Sequence, residues 1–503
     1  MILGKNRLIL GEKKGNPYSI KTMRRAAQIL HLEKGYPEPK ILPNALYVRF
    51  YPTDAKQYNF LIEESGFELF NYPMDQSIVQ LGEIYRDPDL PSWAIYPWLY
   101  TTIYPYQRDL LATLQERFPK MKMEQLQQCY IPMCSPTDSQ YSYEQELERQ
   151  AIQLVENYLP INQNSSDESL EIQNTRCQLT YLDNHTNQVV PMKGIKIRAN
   201  YYVKWSSSYT DDSGVCESLL PFPAGPCYSI VFQNVCQFSI FQGINLVYPI
   251  QIMMDKGDRE GIEYCISKDN PVWSAAVIND AAYDYYNFCR QEDLTLPPTF
   301  LKIWHWNRFG DLSSAPMLKH LSGSIGYHAG FKVWRWLGFA LKGFGVNFAL
   351  FSLGALSPDI LVGRCRAKST VIYNSVTHEL AHASHFAQVG SSYWKRYISF
   401  ILSHRELYGT AKSKDSGICA LGEMWGYSMG NLMEARKFGY AHYSGAGQWF
   451  QPMKLQKLIS HGTLKESDIL KALTPEVLTI EAFRNKLIHL YPDKYAGIDE
   501  LFS

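Results

Sequence analysis

The sequence has no excess of charge of either sign: 49 Lys and Arg balance 49 Asp and Glu across 503 residues. A chain without a basic field has no electrostatic means of collecting phosphate backbones or anionic lipid, so nucleic acid is not an expected partner. Cysteine is sparse as well, 10 residues without C-x-x-C spacing, which argues against a disulfide scaffold and against a cysteine-ligated zinc site. Cys216, Cys227 and Cys236 are close enough along the chain to support a bridge, but buried free thiols are the expectation. Residues 1–20 hold Lys5, Arg7, Lys13 and Lys14 and no apolar stretch, so no export signal is visible in them. A long uninterrupted apolar run is also missing. The most apolar stretch, Trp334–Leu356, is broken by Arg335, Lys342, Asn347 and several glycines, which reads as core and not as a transmembrane segment.

What is present is a folding composition, 46% hydrophobic against 19% charged, with 35 Tyr and 11 Trp as its unusual feature. Aromatic-rich surfaces bind sugars or peptides, although most rings fill cores. The length exceeds what one hydrophobic core supports, so a multidomain α+β chain is expected. Residues 18–32 have helical spacing, Ala45–Tyr51 alternates like a half-buried strand, and residues 140–158 add a charged helix, which together suggest a mixed α+β domain over 1–165. The polar segment Asn162–Glu168 has the composition of a linker. The short alternating runs CQLTYL, GIKIRANYYV, YSIVFQ and QFSIFQ then predict a small antiparallel β-sandwich over 170–258. From 260 to 503 the pattern is mostly helical, with long segments near 272–291, 369–389, 392–407, 418–438 and 476–490.

The chemistry concentrates in the segment from Ser369 to Gly390, which contains H-E-x-x-H as His378-Glu379-x-x-His382. Ser369 is placed to cap a helix and Gly390 to end it. At about 100° per residue, Ile372, Val376, Leu380, Ala383 and Ala387 form one stripe, with His378, His382 and His385 on the other side. Spacing i, i+4 stacks two imidazoles so that both reach one zinc ion and leaves Glu379 at the edge of that face, free to hold a water. A catalytic zinc needs a third protein ligand. Glu423 is the best candidate, because helical spacing puts Glu423, Gly426, Tyr427, Gly430 and Glu434 on one face, and glycines beside a carboxylate admit a close neighbour. Glu406 and Glu434 are rivals for that role. His385 lies two turns beyond His378 and overshoots the site, which suits an outer contact better. Tyr427, Tyr440, His442 and Tyr443 are all candidates to donate to a developing oxyanion. The bland alternative makes the histidines ordinary members of an amphipathic helix and Glu423 a surface acid.

The H-E-L-A-H run followed by a glutamate helix resembles the gluzincin metallopeptidases. The fuller strings THELAHASHF and GEMWGYSMG look like a group of Bacteroidetes cell-envelope proteins that carry such a domain, over roughly residues 260–503. The stretch from Val190 to Val215 resembles the carboxypeptidase regulatory-like, transthyretin-like β-sandwich, and NPYSIKTM near the start is similar to the same envelope group. The resemblance implies a zincin-like domain in which one Zn2+ is bound by His378, His382 and Glu423, with Glu379 as general base. It also implies a peptide or protein substrate, glycosylated or not, and a cell-envelope or secreted location. Gluzincins often place an acid four residues after the ligand glutamate, where this chain has Tyr427. They also present substrate along an edge strand ahead of the site helix, a role that Leu356–Gly363 suits in composition and place. The alternative from another class is a non-catalytic envelope protein that binds glycans or proteins with a degenerate peptidase fold.

Overall fold

The computed structural model describes residues 7–502 apart from 38–39, 83, 92–93, 134–140, 157–174, 244–245, 255–256, 322–356 and 404–407. The linker stretch Asn162–Glu168, the apolar stretch Trp334–Leu356 and Glu406 lie outside the described residues. The fold is mixed α and β, with several sheets and a helical C-terminal region. It divides into two compact units, one made of Met1–Leu179, Ile195–Val231 and Ile250–Tyr264, the other of Thr180–Gly194, Phe232–Pro249 and Cys265–Ser503. No helix among the described residues is long and apolar enough to cross a membrane.

In the first unit the helix Ile20–Lys34 begins where Ser19 accepts the Thr22 N–H and ends at Gly35, whose φ of 68° closes the last turn onto His31. Its buried side is Met23, Ala26, Ala27 and Leu30. Strand Ala45–Tyr51 lies between Leu99–Ile103 and Lys122–Cys129 in an antiparallel sheet. Its alternation is imperfect, because a register shift against the latter strand falls between Tyr47 and Val48 and both are buried. The helix Tyr141–Glu156 brings Glu148 to Lys204 at 2.9 Å, a buried pair that also takes the Tyr18 hydroxyl at 2.6 Å. Among the described residues every cysteine is a free thiol, including Cys216, Cys227 and Cys236.

In the second unit, strand Leu301–His305 runs parallel to Phe238–Gln242 on one side and to Ile360–Val362 on the other. Phe238–Gln242 is the QFSIFQ run, expected in an antiparallel sandwich. Among the described residues its antiparallel pairing is Gln233 with Ser239, and its full length, Phe238 to Gln242, runs parallel to Leu301 to His305, a partner distant along the chain that alternation cannot name. Ile360–Val362 is a strand as expected but not a free edge, since Ser313–Ser314 pairs antiparallel along its outer side. Helix Trp273–Gln291 and a helix from Ser369 to Ser403 that breaks at Gly390 pack beside this sheet, and helix Ser416–Phe438 packs on the latter.

A buried charge cluster ties three parts of this unit together. Asp280 and Asp284 sit one turn apart on helix Trp273–Gln291, and Lys437 reaches both at 2.8 Å. Lys193 adds a contact to Asp284 at 3.2 Å, while Tyr181 donates to Asp280 at 3.0 Å and Tyr373 to Asp284 at 3.1 Å. Burial raises the Asp280 pKa, with Asp284 adding to it and Lys437 opposing. Removing Lys437 takes from the buried Asp280 its direct ion pair, which Lys193, in contact with Asp284, does not replace. Lys437→Met is therefore expected to cost about 3 kcal/mol in urea unfolding. A loss under about 1 kcal/mol, the range of exposed pairs, would show that the cluster does not hold these helices together.

Candidate metal centre

The histidine helix starts at Ser369, but its cap comes from elsewhere: Asn184 accepts the Ser369 N–H at 2.8 Å and donates to Ala367 O at 3.3 Å. Asn184 is held in turn by a tight turn in which the Asp183 carboxylate accepts the N–H groups of His185 and Thr186. Gly390 ends the first segment, with φ 78° and ψ 175°, and the backbone is helical again to Ser403. The helix has no open face through the site. Ile372, Val376, Leu380 and Ala383 are buried as expected, but so are His378, His382 and His385, and Ala387 is the member of the apolar stripe that is exposed. A second helix covering the histidine side accounts for this.

That second element is the glutamate helix Ser416–Phe438, which ends at Gly439 with φ 80°. Its glycines lie at the point of closest approach. A Cβ on Gly426 would stand 2.9 Å from His382 Nε2 and 3.0 Å from His378 Nε2, and one on Gly430 would stand 3.0 Å from Asn374 O. Real side chains do not tolerate the first of these spacings, so Gly426 is required for the two helices to meet here. Trp425 locks the crossing by donating its indole N–H to Ala381 O at 3.1 Å.

The approach brings Glu423 to the histidine pair. His378 Nε2 and His382 Nε2 are 3.0 Å apart, Glu423 Oε2 is 3.5 Å from the former, and Glu423 Oε1 is 3.7 Å from the latter. Ligand atoms at ~2.05 Å around a tetrahedral ion are separated by roughly 3.3 Å, and the observed spacings bracket that value. Glu423 Oε2 is buried and accepts no hydrogen bond. The donor set, its spacing and this orphaned oxygen all fit a metal ion, and His378, His382 and Glu423 are the one such group of three among the described residues.

The electrostatics agree with that fit. Burial pushes the His382 imidazole down to about 3, so it is neutral, the form that ligates. Burial also disfavours the charged form of His378, but Glu423 and Glu379 outweigh it and its pKa is raised. For Glu423 burial is outweighed by the two histidines and the Tyr397 hydroxyl, and the carboxyl is lowered. Burial pushes Glu379 up to about 8, with Glu423 adding and His378 and Arg364 opposing. Glu379 makes no hydrogen bond among the described residues.

The remaining candidates are spread around this centre. Tyr427 stands edge-on to His378, with ring centroids 4.4 Å apart, and its hydroxyl meets that of Tyr408 at 3.3 Å. Tyr440 turns its hydroxyl to His185 Nε2 at 2.6 Å, and Tyr443 is exposed. His442 is bound through Nδ1 and its own N–H to Glu434, and Glu434 also accepts from Asn374 at 3.0 Å. Glu434 is thus engaged one turn away from the histidine pair. His385 packs against Tyr393 and Trp394 and is held neutral by burial. Sequence reasoning missed Tyr397, which donates to Glu423 Oε1 from the far side of Gly390, and Tyr408. Neither sits in a motif, although Tyr397 keeps the helical register of a segment recognised as a helix.

No protein-family model matches the chain, and no curated protein matches it. The chemistry of the site therefore carries the functional argument.

If the glycine contact sets the site, Gly426→Ala weakens divalent-metal binding by about tenfold or more, whereas Gly447→Ala, where a Cβ meets nothing within 4 Å, leaves it unchanged. Metal titration with a fluorescent competitor measures both. Equal affinity in the two variants would mean that the helices can part without harm to the site.

Proposed function

We propose that this chain is a zinc-dependent metallopeptidase, and the observation that carries the reading is the buried meeting of His378, His382 and Glu423 with Glu379 beside them. Two imidazoles and one carboxylate suit zinc and leave a coordination position open. The same donor set also serves iron, so Glu379, an acid placed between the two histidines, is what favours peptide hydrolysis. A zinc ion bound there would lower the pKa of a water toward ~7 and polarise the scissile carbonyl.

The chain's own groups supply the rest. Glu379 lacks a competing hydrogen bond among the described residues, so its carboxylate takes the proton from the attacking water and passes it to the leaving amine. Tyr397 donates to Glu423 Oε1 and so fixes the carboxylate's orientation. Tyr427 is the best-placed of the four oxyanion candidates, because its ring lies 4.4 Å from that of the ligand His378 and its hydroxyl meets only another hydroxyl, Tyr408, among the described residues, whereas Tyr440 and His442 are engaged with His185 and Glu434, and Tyr443 is exposed. The ring of Tyr427 against His378 stands where an orienting acid is common in gluzincins, so packing replaces a hydrogen bond at that position. The substrate class is a peptide or protein. A cell-envelope or secreted location belongs to the same proposal and rests on the sequence resemblance.

Elemental analysis of protein purified without added metal is expected to find about one equivalent of zinc in the wild type and in Glu379→Gln, and little in His382→Ala or Glu423→Ala. On a mixed peptide library, Glu379→Gln should lose turnover by about a hundredfold or more. Full turnover in Glu379→Gln, or iron in place of zinc, would overturn the assignment.

A further inference from the structure

The loop between strand Ile360–Val362 and the histidine helix carries a cation that the hydrolytic scheme does not use. Gly363 packs so tightly on the turn at 310–312 that a Cβ would stand 2.4 Å from Gly310 O and Leu312 O. The next residue, Arg364, has a φ of 56°, a conformation disfavoured for a residue with a side chain, and its N–H is bound to Gly310 O. The backbone is thus clamped, and the side chain is clamped at one point. Arg364 Nε donates to Asp311 O at 3.2 Å, while the Asp311 carboxylate stays 4.0 Å away and is almost fully exposed. Among the described residues no acceptor takes the two terminal guanidinium nitrogens. Their edge is the fork that binds a carboxylate through two parallel hydrogen bonds. The side chain as a whole is 40% exposed.

The place of this fork matters as much as its freedom. The Arg364 charge acts on His378, on Glu379 and on Tyr427, which are respectively a ligand, the base and the oxyanion donor of the proposed site. A cation mounted on a clamped loop that leads into the histidine helix, with its terminal nitrogens unpaired among the described residues, has a binding role as its simplest use.

We propose that Arg364 receives a carboxylate of the bound peptide, and that the site prefers substrates carrying that group next to the bond to be cut. This rests on the peptidase reading for its substrate class. The carboxylate has two sources in a peptide, the free C-terminus and an acidic side chain, and the same chemistry serves both. A free C-terminus would make the enzyme trim chain ends.

The test is calorimetric binding to the full chain carrying Glu379→Gln and supplied with zinc. The probes are N-acetyl-Ala-Phe, its C-terminal amide, and the amide of N-acetyl-Ala-Glu. One of the two carboxylate probes is expected to bind about tenfold or more tighter than the Phe amide, the effect of a charge-assisted pair, and which one it is identifies the source. Adding Arg364→Gln should abolish the gap while zinc content and melting temperature stay unchanged. Equal binding of all three probes, binding of none, or a gap that survives Arg364→Gln overturns the proposal. Hydrolysis by the wild type is read separately: an Arg364-dependent gap without any hydrolysis keeps the carboxylate site and removes the peptidase reading.

Discussion

The close crossing of two helices at Gly426 and Gly430 is the constraint on which the rest of the site depends. Two imidazoles and a carboxylate meet at a buried point only because nothing larger than hydrogen projects from the glutamate helix at the contact. Desolvating such a group is costly, since each charged or polar atom loses its water and the neighbours replace it only in part. Tyr397 satisfies one oxygen of Glu423, and the other is left without a donor. A bound cation would resolve that conflict, because its charge would compensate the carboxylate and its coordination would replace the missing hydrogen bond. Metal affinity and folding stability are coupled in such a site.

Around this centre the polar groups form ties between elements and not isolated pairs. Asn374 on the histidine helix donates to both Asn431 and Glu434 on the glutamate helix. Asn431 exchanges two hydrogen bonds with Ser444, and Glu434 holds His442, so the segment after the glutamate helix is pinned to the same face. Gly445 presses against the Tyr427 ring there. The cluster of Asp280, Asp284 and Lys437 braces the same end of the helix pair against the helix Trp273–Gln291, with Tyr373 donating to Asp284. A site mounted on helices braced in this way is held within narrow limits.

The loop bearing Arg364 has a different character. It is short, clamped by backbone contacts, and joins the sheet to the histidine helix, so any group it presents is fixed relative to His378 and Glu379. Ser313–Ser314 lies along the outer side of Ile360–Val362, so a peptide could not add to that strand directly and would meet Ser313–Ser314 first.

Much of this was legible in the sequence, for reasons that are local. Helical periodicity and the glycine at 390 were enough to mark the histidine helix and its break, and i, i+4 spacing was enough to pair His378 with His382. The glycine and carboxylate pattern from Glu423 to Glu434 was enough to name the partner helix and the face that it turns inward. What only the tertiary structure decided is whatever depends on residues distant along the chain. It showed that Asn184 caps the histidine helix and not Ser369, that Phe238–Gln242 runs parallel to Leu301–His305, that Ile360–Val362 is covered at its edge, and that Tyr397 reaches Glu423. Periodicity reports which face of an element is apolar, but it carries no information on which other segment covers that face. The identity of a third ligand, a cap or a neighbouring strand is settled only when the chain closes on itself.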